Sequence, residues 1–381
     1  MSAPKHLLHV FPSFVPAGSQ VRTARLVNAL GADFRHTIIA LDGRTQAREL
    51  LDRALEVRFL VAPPKAGSLR TALRLRRLLQ DERPDLLLTY NFGAMDALLA
   101  ARFCGRLAAV HHEDGFGPDE AVAFKRRRIW MRRALLPSTR RLVVISETLR
   151  KIALEHWNET PLHVRFIPNG IDINAQVARD GNQSLRIELG IPADCLLVGA
   201  VGHLRPEKNL ARLFSAVARA GSSSSKIHLM IVGDGPMLAE LRQIAGALQL
   251  GDRVHFVGHI PDPRPYYRAM DVFALSSDTE QMPLSLLEAM ASRLPVVATN
   301  VGDVVAMLPG EQAAFVTLPG KEDCVEAMAA SIARLGADPK LRERLGEKNF
   351  GRARQHYSQQ AMIDAYREVY SQALAQTAAK G

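Results

Sequence analysis

Residues 276–302, SSDTEQMPLSLLEAMASRLPVVATNVG, read as a short polar loop, a helix and a buried strand. Two carboxylates frame the helix start. Glu280 lies in the loop after the apolar run 272–275, and Glu288 lies eight positions on, beyond Pro283, where Leu284, Leu287 and Ala291 recur at helical spacing. Pro283 suits a first helical position, because its missing N–H would be unpaired there anyway. At a rise of ~1.5 Å per residue, Glu288 stands roughly 7 Å along the axis from Pro283, so both carboxylates can reach one small ligand set against the helix start. That start also offers unpaired amides and a partial positive charge, which suit a phosphate. With the amides holding an anion and the carboxylates accepting from hydroxyls, the fitting ligand is a nucleotide sugar. Spacing alone leaves a second reading open, in which one Glu caps the helix and the other is solvated.

At 381 residues the chain is long enough for two domains with cores of their own. Hydrophobic residues at 47% and charged ones at 23% are those of a soluble globular protein. The formal charge of +10 favours anionic partners: nucleotide phosphates, polyphosphate-linked acceptors, an anionic membrane surface or nucleic acid. No uncharged run reaches the ~18–20 apolar residues of a membrane span. The longest, 6–21, carries two His and two Pro, which also argues against a signal peptide. Cys104, Cys195 and Cys324 lie without metal-ligand spacing, as expected of reduced, buried thiols in a cytoplasmic protein.

Ahead of the acidic stretch, short apolar runs alternate with helical patterns, the rhythm of βαβ units around a parallel sheet. Strands are expected at 6–11, 37–41, 86–89, 107–111 and 142–145, with helices at 21–30 and 69–79. Gly18 lies in a Pro/Gly turn after the first strand, where the backbone can approach a ligand or simply turn. His111-His112-Glu113-Asp114-Gly115 is read just past a strand, at the carboxyl edge where open α/β sheets hold ligands. These groups are satisfied by loop backbone or bind something; metal ligation conflicts with neighbours that point apart on an extended chain. The densest basic stretch, 124–136 (FKRRRIWMRRALL), puts Phe124, Met131 and Leu135 on one helical face but Ile129 and Trp130 elsewhere. It reads as an imperfect membrane-surface helix or as a solvated basic face. Either way its cations make it a candidate docking surface for an anionic or lipid-linked acceptor.

The turn 167–172, IPNGID, and the polar linker 175–184 close the first half. A second series follows, with strands at 196–201, 226–232, 254–258 and 294–299 and helices from 210 and over 324–335, 339–356 and 358–375. Arg205 and Lys208, near the helix start at 210, read as a diphosphate clamp or as two solvated cations. Gly233, in a Gly-rich strand-to-helix turn, is a phosphate cradle of low specificity without G-x-G-x-x-G, and 259–262 is a βα loop.

With the apolar strand and the turn Thr299-x-x-Gly302 that follow it, the E-x7-E stretch resembles the signature of retaining GT-B glycosyltransferases of the large family 4 group (glycosyl transferases group 1). The resemblance spans nearly the whole chain and is strongest over 196–302. It implies an α/β, GT-B architecture: two Rossmann-like domains with parallel sheets facing across a central cleft. Residues 1–173, joined by the C-terminal helix 358–381, are then the acceptor-binding domain, and 174–357 the nucleotide-sugar domain. It further implies that Glu288 holds ribose hydroxyls and Glu280 those of the transferred sugar. The backbone from Gln281 through Met282, Pro283 and Leu284 to Ser285 then touches sugar and phosphate. Lys208 takes the diphosphate with Arg205 or with His203, which stands where the family usually has Arg. Gly233 lines the phosphate side, Ile260 brings backbone to the nucleobase, and His111, with His112 the alternative, faces the donor sugar. Gly18 takes the place of a Gly-Gly loop, here Ala17-Gly18, with Gln20 where Glu is usual. Asp303 likewise replaces a second glycine after Gly302.

On this reading the chain is a retaining hexosyltransferase with His111, Lys208 and Glu280 as catalytic residues. The donor is a nucleoside-diphosphate sugar, UDP favoured, and the acceptor a glycan or lipid-linked hydroxyl in surface polysaccharide or glycoconjugate synthesis. No Asp-x-Asp pair is present, so neither metal nor other cofactor is expected. The location expected is cytoplasmic, peripheral at the inner face of the membrane through 124–136. Two other classes fit the sequence. One is a nucleotide-sugar epimerase or phosphorylase on the same fold, an epimerase being separable because it needs no acceptor. The other is a non-catalytic basic binding protein. Nucleic acid is not expected, because aromatics are 6% of residues and do not interleave with the basic ones as in single-strand binders.

Overall fold

The computed structural model describes residues 4–31, 33–105, 107–116, 120, 124–176, 183–221 and 226–378. The chain divides into two compact units, Met1–Asn169 with Gln360–Gly381, and Gly170–Gln359. The linker expected at 175–184 lies largely outside the described residues.

In the first unit β1 (Lys5–Phe11), β2 (Phe34–Ala40), β3 (Val57–Val61), β4 (Leu86–Tyr90), β5 (Ala108–Glu113), β6 (Arg141–Val144) and β7 (Val164–Phe166) form one parallel sheet in the order β3-β2-β1-β4-β5-β6-β7. β4 and β5 are buried at every residue and β1 at all but its first, as parallel strands covered on both faces must be. The outer strands β3 and β7 are absent from the sequence reading because each is short, part-exposed and interrupted by an arginine, Arg58 or Arg165. The final helix, Gln359–Ala378, adds Met362, Tyr366, Val369 and Tyr370 to the core built on Leu7, Phe11, Leu88 and Val110.

Three local expectations change. β5 continues through Glu113, so His111 and His112 stand within the strand and not in a loop beyond it; the side chains of both, and of Glu113, are buried. The helix after β1 begins at Gly18, which therefore starts a helix without a positive φ. The basic stretch forms the helix Arg126–Leu135, but Arg132 is no docking residue: it turns into the core, while Trp130 stays 70% exposed.

Burial also unites a set of histidines. His9 Nε2 lies 3.0 Å from His36 Nδ1 and its Nδ1 3.0 Å from the Tyr90 hydroxyl, while His112 spans the Thr89 carbonyl (3.1 Å) and the Tyr370 hydroxyl (3.1 Å). Desolvation holds all three below the ordinary imidazole value, His36 at about 4. Below pH 6.5 the unfolded chain takes up protons that the folded unit refuses, so this stability is complete above 6.5 and is lost as pH falls toward 4. With each tenfold change in proton affinity worth ~1.4 kcal/mol, His36 alone accounts for about 3 kcal/mol of that loss. The urea midpoint is expected to fall steeply between pH 6.5 and 4.5, and His36→Gln to flatten the slope.

The second unit repeats the plan with six strands, β8 (Leu196–Val201), β9 (Ile227–Val232), β10 (Val254–Gly258), β11 (Val272–Leu275), β12 (Val296–Thr299) and β13 (Val316–Thr317). Their order is β10-β9-β8-β11-β12-β13, all parallel. Strands β9, β11 and β12 are fully buried, whereas the edges β10 and β13 are half-buried throughout. Among the described residues no helix is long and apolar enough to cross a membrane.

Candidate functional site

In the second unit the chain lays β9 and β10 to one side of β8, then returns to place β11 on the other. Parallel sheets hold ligands outside the strand ends at such a reversal. The loops leaving β8 and β11 meet there around a small cavity lined by Gly202, His203, Leu204, Lys208, Ser276 and Ser277.

These loops are stitched together. The Asp278 amide donates to the Glu207 carbonyl at 2.8 Å and the Ser276 hydroxyl to the Lys208 carbonyl at 3.0 Å. Asn209, at a positive φ of 41°, donates from its side chain to Asp278, and Arg212 reaches both Asp278 (2.7 Å) and the Ser276 carbonyl (2.8 Å). The result is a fixed ion pair between two site residues 72 positions apart. Lys208 Nζ donates to Glu280 Oε1 at 2.5 Å, and the Ser277 hydroxyl donates to the same oxygen at 2.8 Å. From the far side the Thr299 hydroxyl donates to the Ser277 carbonyl (2.6 Å) and the Asp303 amide to the Gln281 carbonyl (2.9 Å). Gly302 sits at φ +53°, where an added Cβ would lie 2.3 Å from the Glu280 carbonyl, so only glycine lets this turn support the acidic loop.

The helix Leu284–Ala291 follows. Pro283 is its N-cap, with extended backbone, and not its first helical residue; among the described residues no side chain caps the end. Met282 and Pro283 are buried, so backbone rather than side chains is what this segment presents, with Leu284 and Ser285 half-buried beside it. Glu288, in the second turn, accepts from the Tyr267 hydroxyl at 2.9 Å. Tyr267 is wholly buried, and burial, then the Glu288 charge, pushes its phenol well above 10, so it stays a donor.

His203 and Arg205 are exposed; of the three expected diphosphate cations, Lys208 is the one that pairs with Glu280, while Arg205 lies 3.8 Å from Glu207. Partial burial and then Arg205 lower the His203 pKa, so at neutral pH this imidazole offers a hydrogen bond and no charge. Gly233 carries φ +140° and packs so closely on Gly202 that a Cβ would meet its carbonyl at 1.9 Å, fixing the β9 loop against the β8 loop. Ile260 lies two residues past β10, half-buried.

Gly18 and His111 belong to the first unit. An added Cβ at Gly18 would meet nothing within 4 Å. His111 Nδ1 lies 2.7 Å from the Thr89 hydroxyl, and its buried Nε2, 3.6 Å from Glu113, has no hydrogen-bond partner among the described residues. His112, by contrast, uses both ring nitrogens within the core. Sequence reasoning missed the partners of Glu113. Arg132 lies between Glu113 (3.1 Å) and Glu120 (3.3 Å) and stacks 4.7 Å from the Trp157 ring centre. Burial would raise the Glu113 pKa, but Arg132 and His111 override it and hold the carboxyl below its ordinary range. Sequence reasoning also missed Tyr267, Arg212 and Asp278.

Two Rossmann-like units, each built on one parallel sheet, make the GT-B fold, and the chain belongs to the family of glycosyltransferases that share it. Residues 16–175 match the Glycosyltransferase Family 4 model and 182–352 the Glycosyl transferases group 1 model. Two lipopolysaccharide core biosynthesis glycosyltransferases of Rhizobium meliloti are similar to it: LpsE, 32% identical over 54% of this chain and 57% of its own, and LpsD, 30% identical over 52% and 56%. The chain thus spans little more than half the length of these relatives. Anabaena HepE, solved in complex with UDP, shares the fold at a TM-score of 0.82 and 21% identity, over 96% of this chain and 100% of that one. WaaG, a glycosyltransferase involved in lipopolysaccharide biosynthesis, does so at 0.75 and 16%, over 95% and 99%.

Proposed function

We propose that the chain is a retaining hexosyltransferase that moves a sugar from a UDP-sugar to a glycan or lipid-linked hydroxyl in surface polysaccharide or glycoconjugate synthesis. The observation that carries this is the Lys208–Glu280 pair at the strand-order reversal, beside a helix start whose second turn bears Glu288. In this reading Glu288 accepts from the ribose hydroxyls, Glu280 from those of the sugar, and the backbone from Gln281 to Ser285 meets the phosphates. Lys208 stabilises the charge that grows on the departing diphosphate, with His203 as a neutral donor and Arg205 at the rim. The acceptor hydroxyl enters on the face the diphosphate leaves, and His111 steadies the sugar. No metal or cofactor takes part. The UDP bound by HepE supports the choice of nucleotide. The exposed Trp130, with Arg126, Arg127 and Arg133, supports docking at the cytoplasmic face of a membrane.

The test is a melting panel of UDP-, GDP- and ADP-sugars in the presence of EDTA. A donor at a hundred times its dissociation constant adds ~2.7 kcal/mol of stability. Glu288→Ala is expected to abolish the shift given by the best donor. Tyr267→Phe removes the hydrogen bond that orients Glu288, and is expected to weaken UDP about tenfold while shrinking the penalty for a 2′-deoxyribose, as the loss of one charge-assisted hydrogen bond would. A full shift in Glu288→Ala rejects the ribose assignment.

A further inference from the structure

The ladder that joins β8 to β11 ends early. Its pairs are Val198–Val272 and Gly199–Phe273, and beyond them the chain toward Lys208 and the chain toward Glu280 are no longer paired as strands. On the other side β11 stays paired with β12 as far as Leu275–Ala298, and β12 with β13 as far as Thr299–Thr317. Lys208 and Glu280 thus face each other across a gap in the sheet, where loop contacts must fix what the ladder does not.

Arg212 lies over that gap. It stands in the first turn of the helix Leu210–Ala220, and helical side chains lean toward the N-terminus, so it reaches back across the loop that carries Lys208. Little stability accounts for a cation there. The helix dipole opposes it, and its ion-pair partner Asp278 has a side chain 47% exposed, so the pair itself contributes little. The guanidinium instead binds three oxygens from two other loops: the Ser276 carbonyl at 2.8 Å, the Asp278 carboxylate at 2.7 Å and the Pro319 carbonyl at 2.9 Å. Ser276 and Asp278 lie just ahead of Glu280, and Pro319 just beyond β13. The Arg212 amide meanwhile donates to the side-chain oxygen of Asn209, the residue after Lys208, at 3.3 Å. One residue therefore holds the neighbour of Lys208 with its backbone and the approach to Glu280 with its side chain.

We infer that Arg212 is a positioning residue, whose fork sets the separation of Lys208 and Glu280 by clamping the loops after β8, β11 and β13. Its effect on catalysis rests on the transferase reading; its hold on the pair does not.

The test compares Arg212→Met, which keeps the stem and removes the guanidinium, with Arg212→Lys, which restores one charge but no planar fork to span three oxygens. With the best donor and acceptor, Arg212→Met is expected to lower kcat about 10²-fold, as a misplacement of ~1 Å would. The KM for donor and the UDP-induced melting shift are expected to stay near those of the unaltered chain, because Glu288 is held separately by Tyr267. Arg212→Lys is expected to recover part of kcat. An unchanged kcat, or a kcat and a UDP shift lost together, overturns the assignment. Since Arg212 acts through the pair, adding Arg212→Met to Lys208→Ala is expected to cost little further kcat, and additive losses overturn it too. A readout without turnover is the rate at which an amine-reactive ester acylates Lys208 in the folded proteins, followed by mass spectrometry against exposed Lys65. Acylation is expected to be several-fold faster in Arg212→Met; equal rates overturn the clamp. If no nucleotide sugar shifts the melting of the unaltered chain, the transferase reading fails, while faster acylation in Arg212→Met still supports the hold of Arg212 on the pair.

Discussion

Replacing Lys208 by alanine is expected to lower kcat about 10²–10³-fold with a much smaller change in the KM for donor, the signature of a group that acts on charge developing in the transition state. The geometry argues for this size of effect. Lys208 is held by Glu280, and the loop that carries it is bonded to the β11 loop through Glu207, Ser276 and Asp278, so its ammonium is placed before reaction begins. Loss of activity through a displaced Glu280 is the competing explanation. It is separated by combining the changes: residues that work as one unit are non-additive, so Lys208→Ala/Glu280→Gln is expected to be little worse than the poorer single variant. Lys208→Arg keeps the charge and is expected to recover part of kcat. An unchanged kcat in Lys208→Ala would remove leaving-group stabilisation from the proposal.

The largest stability effect is expected at Arg132. Its side chain is 1% exposed between Glu113 and Glu120, themselves 0% and 1% exposed. Removing the cation from such a cluster takes the arginine from buried Glu113 and leaves Glu120 with Arg128 alone, and breaking a buried pair in this way costs about 3–5 kcal/mol. For a unit of this size that corresponds to a fall in Tm of roughly 10 °C for Arg132→Met. The cause is electrostatic rather than a loss of volume if Glu113→Gln and Glu120→Gln, introduced into Arg132→Met, restore most of the stability. Failure of that rescue would assign the effect to lost packing on Trp157 and Phe92.

The central strands were legible because their physics is local. Covered on both faces, β1, β4, β8, β9, β11 and β12 must be nearly continuous apolar runs, and such runs are visible without any neighbour. The loop and helix around Glu280 and Glu288 were legible for a related reason: a polar loop, a proline and a helical period occupy one short segment. Of the edge strands, β10 was legible as the run 254–258, whereas β3, β7 and β13 were not, since an edge is half solvated and its composition resembles a loop.

What only the tertiary structure decided are the pairings between distant segments. The run 124–136 reads as a uniform basic face, yet one of its arginines is the most buried cation of a carboxylate cluster, because β5 brings Glu113 beneath that one turn of the helix. His111 and His112 are adjacent and alike in sequence, but the fold satisfies both nitrogens of one and, among the described residues, leaves Nε2 of the other without a hydrogen bond. Lys208 finds Glu280, and Tyr267 finds Glu288, through the order in which the second sheet lays down its strands. Periodicity records whether a residue faces a core; the identity of the group it meets there depends on chain topology, which no local spacing encodes.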